Sequence, residues 1–157
     1  MRRVIAAGLL LALLVGCDGD DGPTASAPGE PELTRAEFTA KADAICADNQ
    51  GALSNLDPPQ GLGATAAVLR EVLPVIREEI NRLRELGEPP EDGREAYLDW
   101  FQARDAIVEA TAQMIAAAEQ GDRDQFQRLA ILQQELDERA DEAAEEYGFE
   151  VCGTGGT

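Results

Sequence analysis

The chain has 157 residues, of which 31 are acidic and 13 basic, for a formal charge of −18. A surface of that sign repels phosphate backbones, which are bound through lysine and arginine clusters, so nucleic acid is excluded as a partner. The chain has no histidine, and outside residues 18–33 Ser54 is its only serine. The usual nucleophile–base pairs therefore have no base. Zinc, copper and haem sites built on imidazole, and the Glu-x-x-His di-iron arrangement of helical bundles, are excluded too. No catalytic residue, metal or cofactor is expected, and the chain reads as a non-enzyme.

Arg2 and Arg3 form a basic head, Val4 to Val15 an apolar stretch of 12 residues, and Gly16 a small residue at a cleavage point. This is the layout of a secretory signal, and 12 residues fall short of the about 20 needed to span a bilayer. The segment Leu14-Val15-Gly16-Cys17 resembles the lipobox of bacterial lipoproteins. The resemblance implies removal of residues 1–16, acylation of Cys17 (palmitate among the acyl chains) and attachment to the outer face of the cytoplasmic membrane. Asp18 is similar to the inner-membrane retention signal of enterobacterial lipoproteins. Loss of Arg2 and Arg3 with the leader takes the formal charge from −18 to −20, so the body is repelled by anionic headgroups and the lipid supplies the attachment. Residues 17–33 are crowded with Gly, Pro and acids and lack apolar periodicity. They read as a flexible tether about 20 Å long on average.

Four amphipathic helices follow. Thr34 and Glu37 form a capping box, with Leu33 and Phe38 as its hydrophobic staple. The apolar stripe then runs through Phe38, Ala42, Ile45, Asn49, Leu53 and Leu56 until Asp57-Pro58-Pro59 stops the helix. The second helix, about 64–86, carries Ala66, Leu69, Leu73, Ile76, Ile80 and Leu83 at alternating steps of three and four, with Pro74 inside it predicting a kink. Gly87 terminates it. The third, about 92–119, places Tyr97, Trp100, Arg104, Ile107, Thr111, Met114 and Ala118 on one stripe, and Gly121 ends it. Asp122 caps the fourth, whose stripe is Phe126, Leu129, Gln133, Leu136, Ala140, Ala143 and Tyr147, and Gly148 closes it with Phe149 folding back. Short turns between such helices give an all-α, antiparallel up-down four-helix bundle over residues 34–153, with 154–157 a disordered tail.

Cys46 and Cys152 are an even pair in an exported body, which favours a disulfide. In an up-down bundle Cys46 lies roughly 16 Å up the first helix, and the tail from Gly148 reaches about 13 Å when extended. The tail should therefore reverse at Gly148 and lie along the first helix, linked to it. Free buried thiols and an intermolecular bond are the alternatives. Phe38-x6-Ile45-Cys46, the Pro89-Pro90 turn and Tyr147-Gly148-x3-Cys152 together resemble an uncharacterised group of exported helical proteins of high-GC Gram-positive bacteria. That resemblance implies a disulfide-clamped helical fold and brings no activity.

Asn49, Arg104 and Gln133 interrupt the core stripes, and rise per residue places all three at roughly 18–21 Å from the same end. They read as one polar layer, walled below by Trp100 and Phe101. A buried arginine must be paired, so the layer is either self-satisfied packing or a pocket for a small, anionic ligand; a third reading lets Arg104 snorkel to solvent. The acidic run from Glu135 to Glu146 reads as a solvated face, with a weak divalent-cation site as the lesser alternative. The function expected is a non-catalytic interaction module that meets a protein partner at the cell envelope. The alternative is a helical bundle that binds a small ligand.

Overall fold

A computed structural model describes residues 33–53 and 59–153. The leader, Cys17, the tether up to residue 32, Leu56 and the last four residues lie outside them. Among the described residues there are four helices: α1 (Arg35–Leu53), α2 (Leu62–Glu85), α3 (Arg94–Gln120) and α4 (Arg123–Tyr147). They form the antiparallel bundle that the stripes require.

The helix ends follow local chemistry. The Thr34 amide and hydroxyl donate to Glu37 Oε2 at 2.9 and 2.7 Å, and the Glu37 amide donates to Thr34 Oγ1 at 3.3 Å. These bonds hold the Glu37 carboxyl below its ordinary range. At α4 the Asp122 side chain accepts from the Gln125 amide at 2.9 Å. Gly148, at φ 89°, turns the chain out of α4. The amides of Phe149 and Gly148 then reach the carbonyls of Ala144 and Glu145 at 3.0 and 3.1 Å, a Schellman closure. The start of α3 differs from the expectation. It begins at Arg94, preceded by Gly93 in the left-handed region with no side-chain cap. At φ 81° Gly93 takes a backbone conformation that favours glycine, and a Cβ there would press on the Arg35 guanidinium and the Tyr147 ring, both at 3.1 Å. Asp92 stands 3.4 Å from Arg35. Helix α2 runs unbroken through Pro74.

The core is aromatic at the end where α1 and α3 begin and α4 finishes. Phe38, Tyr97, Trp100 and Tyr147 are almost fully buried there, joined by Phe149 of the tail. The Phe149 ring centroid lies 4.7 Å from those of both Trp100 and Tyr147. A smaller apolar cluster of Met114, Ala117 and Leu129 holds the opposite end. Burial pushes the Tyr97 phenol up to about 12, with the neighbouring Tyr147 adding to the shift, and burial raises Tyr147 too. These are the only two tyrosines in the chain. Their neutral forms are favoured by the fold, so this contribution is complete below pH 10 and is lost as pH rises through the folded-state values. An absorbance titration at 295 nm should place both tyrosine midpoints above 10, and ionisation should coincide with loss of helical circular dichroism. Two phenols titrating near pH 10 in a folded protein would contradict this packing.

Helix α4 packs along α3, α3 along α2 and α2 along α1, but the backbones of α1 and α4 scarcely approach each other. The tail stands between them. Cys152 is bonded to Cys46 with their Cα atoms 5.2 Å apart, as the bundle geometry requires. Three successive tail amides, of Glu150, Val151 and Cys152, donate to the Asp43 carboxylate at 3.0, 3.0 and 2.9 Å. The Gln50 side chain donates to the Val151 carbonyl at 3.2 Å. Gly153 lies so close to α4 that a Cβ there would meet that of Ala144 at 2.8 Å. Arg35 closes the end of the seam: its Nε donates to the Tyr147 carbonyl at 3.0 Å and its Nη2 to that of Glu146 at 3.1 Å. A cation is thus set on the negative end of the α4 dipole. Charge-assisted hydrogen bonds contribute about 1.5–3 kcal/mol net, so Asp43→Ala should lower the unfolding free energy by about that amount. A urea titration that shows a shifted midpoint at unchanged slope checks it.

Candidate functional site

Three of the four predicted site residues come together, and they do so around a fourth residue that the stripes did not single out. Glu79 of α2 is 3% exposed and sits between Ile76 and Leu83 on the buried face. Its Oε1 accepts from Arg104 Nη2 at 2.6 Å, and its Oε2 accepts from Asn49 Nδ2. Helices α1, α2 and α3 are therefore joined at mid-bundle by one carboxylate. Arg104 does not snorkel, since only 14% of its side chain is exposed.

At this layer two buried polar atoms are left without a partner among the described residues. An ionised carboxylate only accepts, so the Asn49 amide must present its NH2 to Glu79, which turns its oxygen elsewhere. That oxygen, Asn49 Oδ1, has no donor, and Arg104 Nε has no acceptor, among the described residues. Both side chains line a cavity of about 120 Å³, with Gln133 and Asp137 of α4 and the Cys46–Cys152 bridge also in its wall. A polar hollow of this size has room for ordered water, which would satisfy such groups. Asp137 is raised from its ordinary value by burial, against the pull of Arg104 and with a further push from Asp141. Asp141 is raised by burial as well, again against Arg104. Arg104 thus faces three acids, one in contact and two farther off, and the layer carries an excess of negative charge.

Trp100 is the correction. It is 0% exposed and is packed among Tyr97, Phe101 and Phe149 in the aromatic core. It is not among the residues that line the cavity. Gln133 is half-buried and borders the hollow from α4. The acidic run of α4 is largely exposed, and among the described residues no three acidic or thiol side chains gather so as to hold a metal ion.

No protein-family model matches the chain, and no curated protein or solved structure matches it. Among the described residues no helix is long and apolar enough to cross a membrane. Among the described residues Leu98, Ile131 and Leu132 are the large apolar side chains that stand exposed, at 53%, 61% and 43%.

Proposed function

We propose that this chain is an exported, lipid-tethered helical module that works at the cell envelope by binding rather than by catalysis. The observation that carries the reading is the buried Cys46–Cys152 bridge. Such bonds persist in oxidising compartments, and the leader ending in Cys17 points to the same side of the membrane. The acidic surface and the lack of histidine agree with a body that neither lies on anionic lipid nor performs acid–base chemistry at neutral pH. The test is fractionation of the native host with mass spectrometry of the N-terminal peptide. The expected product is a membrane-associated chain that starts at acylated Cys17, with Cys46 and Cys152 oxidised, and Cys17→Ser should abolish the acyl mass. A cytosolic chain with residues 1–16 in place and both thiols reduced would overturn the reading.

A second reading, capture of a small ligand at the mid-bundle layer, is favoured by the unmatched Asn49 Oδ1 and Arg104 Nε at one cavity. The anionic guest expected from Arg104 loses its basis here, because Glu79 already supplies that anion.

A further inference from the structure

Asp137 is the acid that the mid-bundle layer leaves over. It borders the cavity of about 120 Å³ from α4, half-buried, and shares that wall with Glu79 of α2 and Arg104 of α3. Helix α1 and the tail bring no charged group to it. Asp141 follows one turn later on α4 and is exposed.

Arg104 cannot serve all of these acids. Its Nη2 is taken by Glu79 at 2.6 Å, and Glu79 is only 3% exposed. Among the described residues no base stands in ion-pair contact with Asp137, and no donor bonds to it. With both acids ionised, one cation faces two anions across a partly enclosed hollow, and a charge without a partner there is costly. A carboxylate escapes such a cost by taking a proton. The place in the fold gives that proton a mechanical meaning. The backbones of α1 and α4 scarcely approach each other, and the cavity lies in the seam between them, with α1 and the tail on one side and α4 on the other. Asp137 is the one charged residue that α4 brings to this wall.

We propose that Asp137 is a proton-operated latch: neutral, it lets α4 close on α1 and the tail at the polar layer, and ionised, it keeps the cavity open and wet, so that the domain is tighter in mildly acidic than in neutral surroundings. Burial raises the Asp137 carboxyl and outweighs the opposing pull of Arg104, which agrees with this arrangement. The sign follows from linkage. A carboxyl whose folded-state value is raised contributes stability that is complete below its unfolded value of about 4, and that is lost as pH rises through the folded value. The latch does not depend on export of the chain; in the exported module proposed above, the pH it senses is that of the surroundings.

The experiment is urea unfolding of the full chain, of Asp137→Asn and of Asp141→Asn, at steps from about pH 7.5 to about pH 5. About 0.5 M sodium chloride is present throughout, because it screens repulsion among exposed acids. The wild-type folding constant should grow as pH falls, by less than the tenfold per pH unit that one proton allows. Asp137→Asn, which has the shape of the neutral form at every pH, should be more stable than the wild type at the neutral end and nearly flat across the range. Asp141→Asn should keep most of the rise. In nitrogen-15-labelled protein the side-chain amides of Asn49 and Gln133 should move with pH through one common midpoint, and should stay still in Asp137→Asn. A rise undiminished in Asp137→Asn would be relief of general surface repulsion and would overturn the latch. An Asp137→Asn protein less stable than the wild type at the neutral end would do the same, since the ionised carboxylate would then be holding the layer together. Asn49 and Gln133 amides that ignore pH in the wild type would also overturn it.

Discussion

Cys152→Ser is expected to lower the unfolding free energy by about 4–5 kcal/mol. The bridge closes a loop across a sequence separation of 106 residues, and the chain-entropy model gives about 4.7 kcal/mol for a loop of that order. A domain of this size has about 5–15 kcal/mol in total, so the variant would stand near the edge of folding at growth temperature. The effect has a structural side as well. With the bridge gone, the tail keeps the Asp43 carboxylate and the Phe149 ring as its holds, while the seam between α1 and α4 loses its one covalent link. Urea unfolding of the variant and of the reduced wild type should give coincident midpoints, both far below that of the oxidised protein. A loss under about 1 kcal/mol would mean that the Asp43 cradle and the aromatic cluster hold the tail unaided.

Glu79→Ala should cost about 3–5 kcal/mol, the usual penalty for removing one partner of a buried ion pair. The mechanism is specific. Arg104 would keep its charge at 14% side-chain exposure with no acid in contact, and the Asn49 amide would lose the acceptor that fixes its orientation. Replacing both members, as Glu79→Leu with Arg104→Met, should by contrast be neutral or stabilising by about 1–4 kcal/mol, because the desolvation of two charges is then avoided. The double variant would therefore be more stable than either single variant, a sign of coupling that thermal or urea unfolding of the four proteins measures directly. A Glu79→Ala loss below about 1 kcal/mol would show that water already solvates the layer in solution.

Most of the framework was legible because it is written in local chemistry. The steps of three and four on each helix, the Thr34–Glu37 box, the Asp122 cap and the Gly148 closure act within a few residues, and the structure places each as expected. The pairing of Cys46 with Cys152 needed only the topology and two lengths. Where reading failed, the deciding interaction was axial or tertiary. Counted from its end at Glu85, Glu79 sits about 9 Å up α2, about two turns below the height assigned to Asn49 and Arg104. The lengthwise offset of α2, together with the reach of two long side chains, brings them together. The requirement that a buried arginine find an acid was the available signal, and a search of neighbouring turns for carboxylates beside the stripes would have met Glu79. Asp43 lay in plain view three residues before Cys46, but its part depends on the tail presenting three amides in succession, which no periodicity encodes. Trp100 was placed beside the polar layer because its stripe passes through Arg104, and Phe149, from a different segment, decided otherwise.

The clasp between Cys46 and Cys152 also determines how the domain carries mechanical load. A pull between residue 33 and Cys152 can peel only the first turns of α1, because at Cys46 the force passes through the sulfurs and bypasses the intervening chain. The added length is about 25 Å, from the helical 1.5 Å to an extended 3.3–3.6 Å per residue, in place of a few hundred for the open chain. Within that short span the force first meets Arg35 on the last carbonyls of α4 and then Phe38 in the aromatic core. Between residue 33 and Cys152 the domain is therefore almost inextensible, and force applied there reaches the rest of the bundle through the bridge without unravelling it.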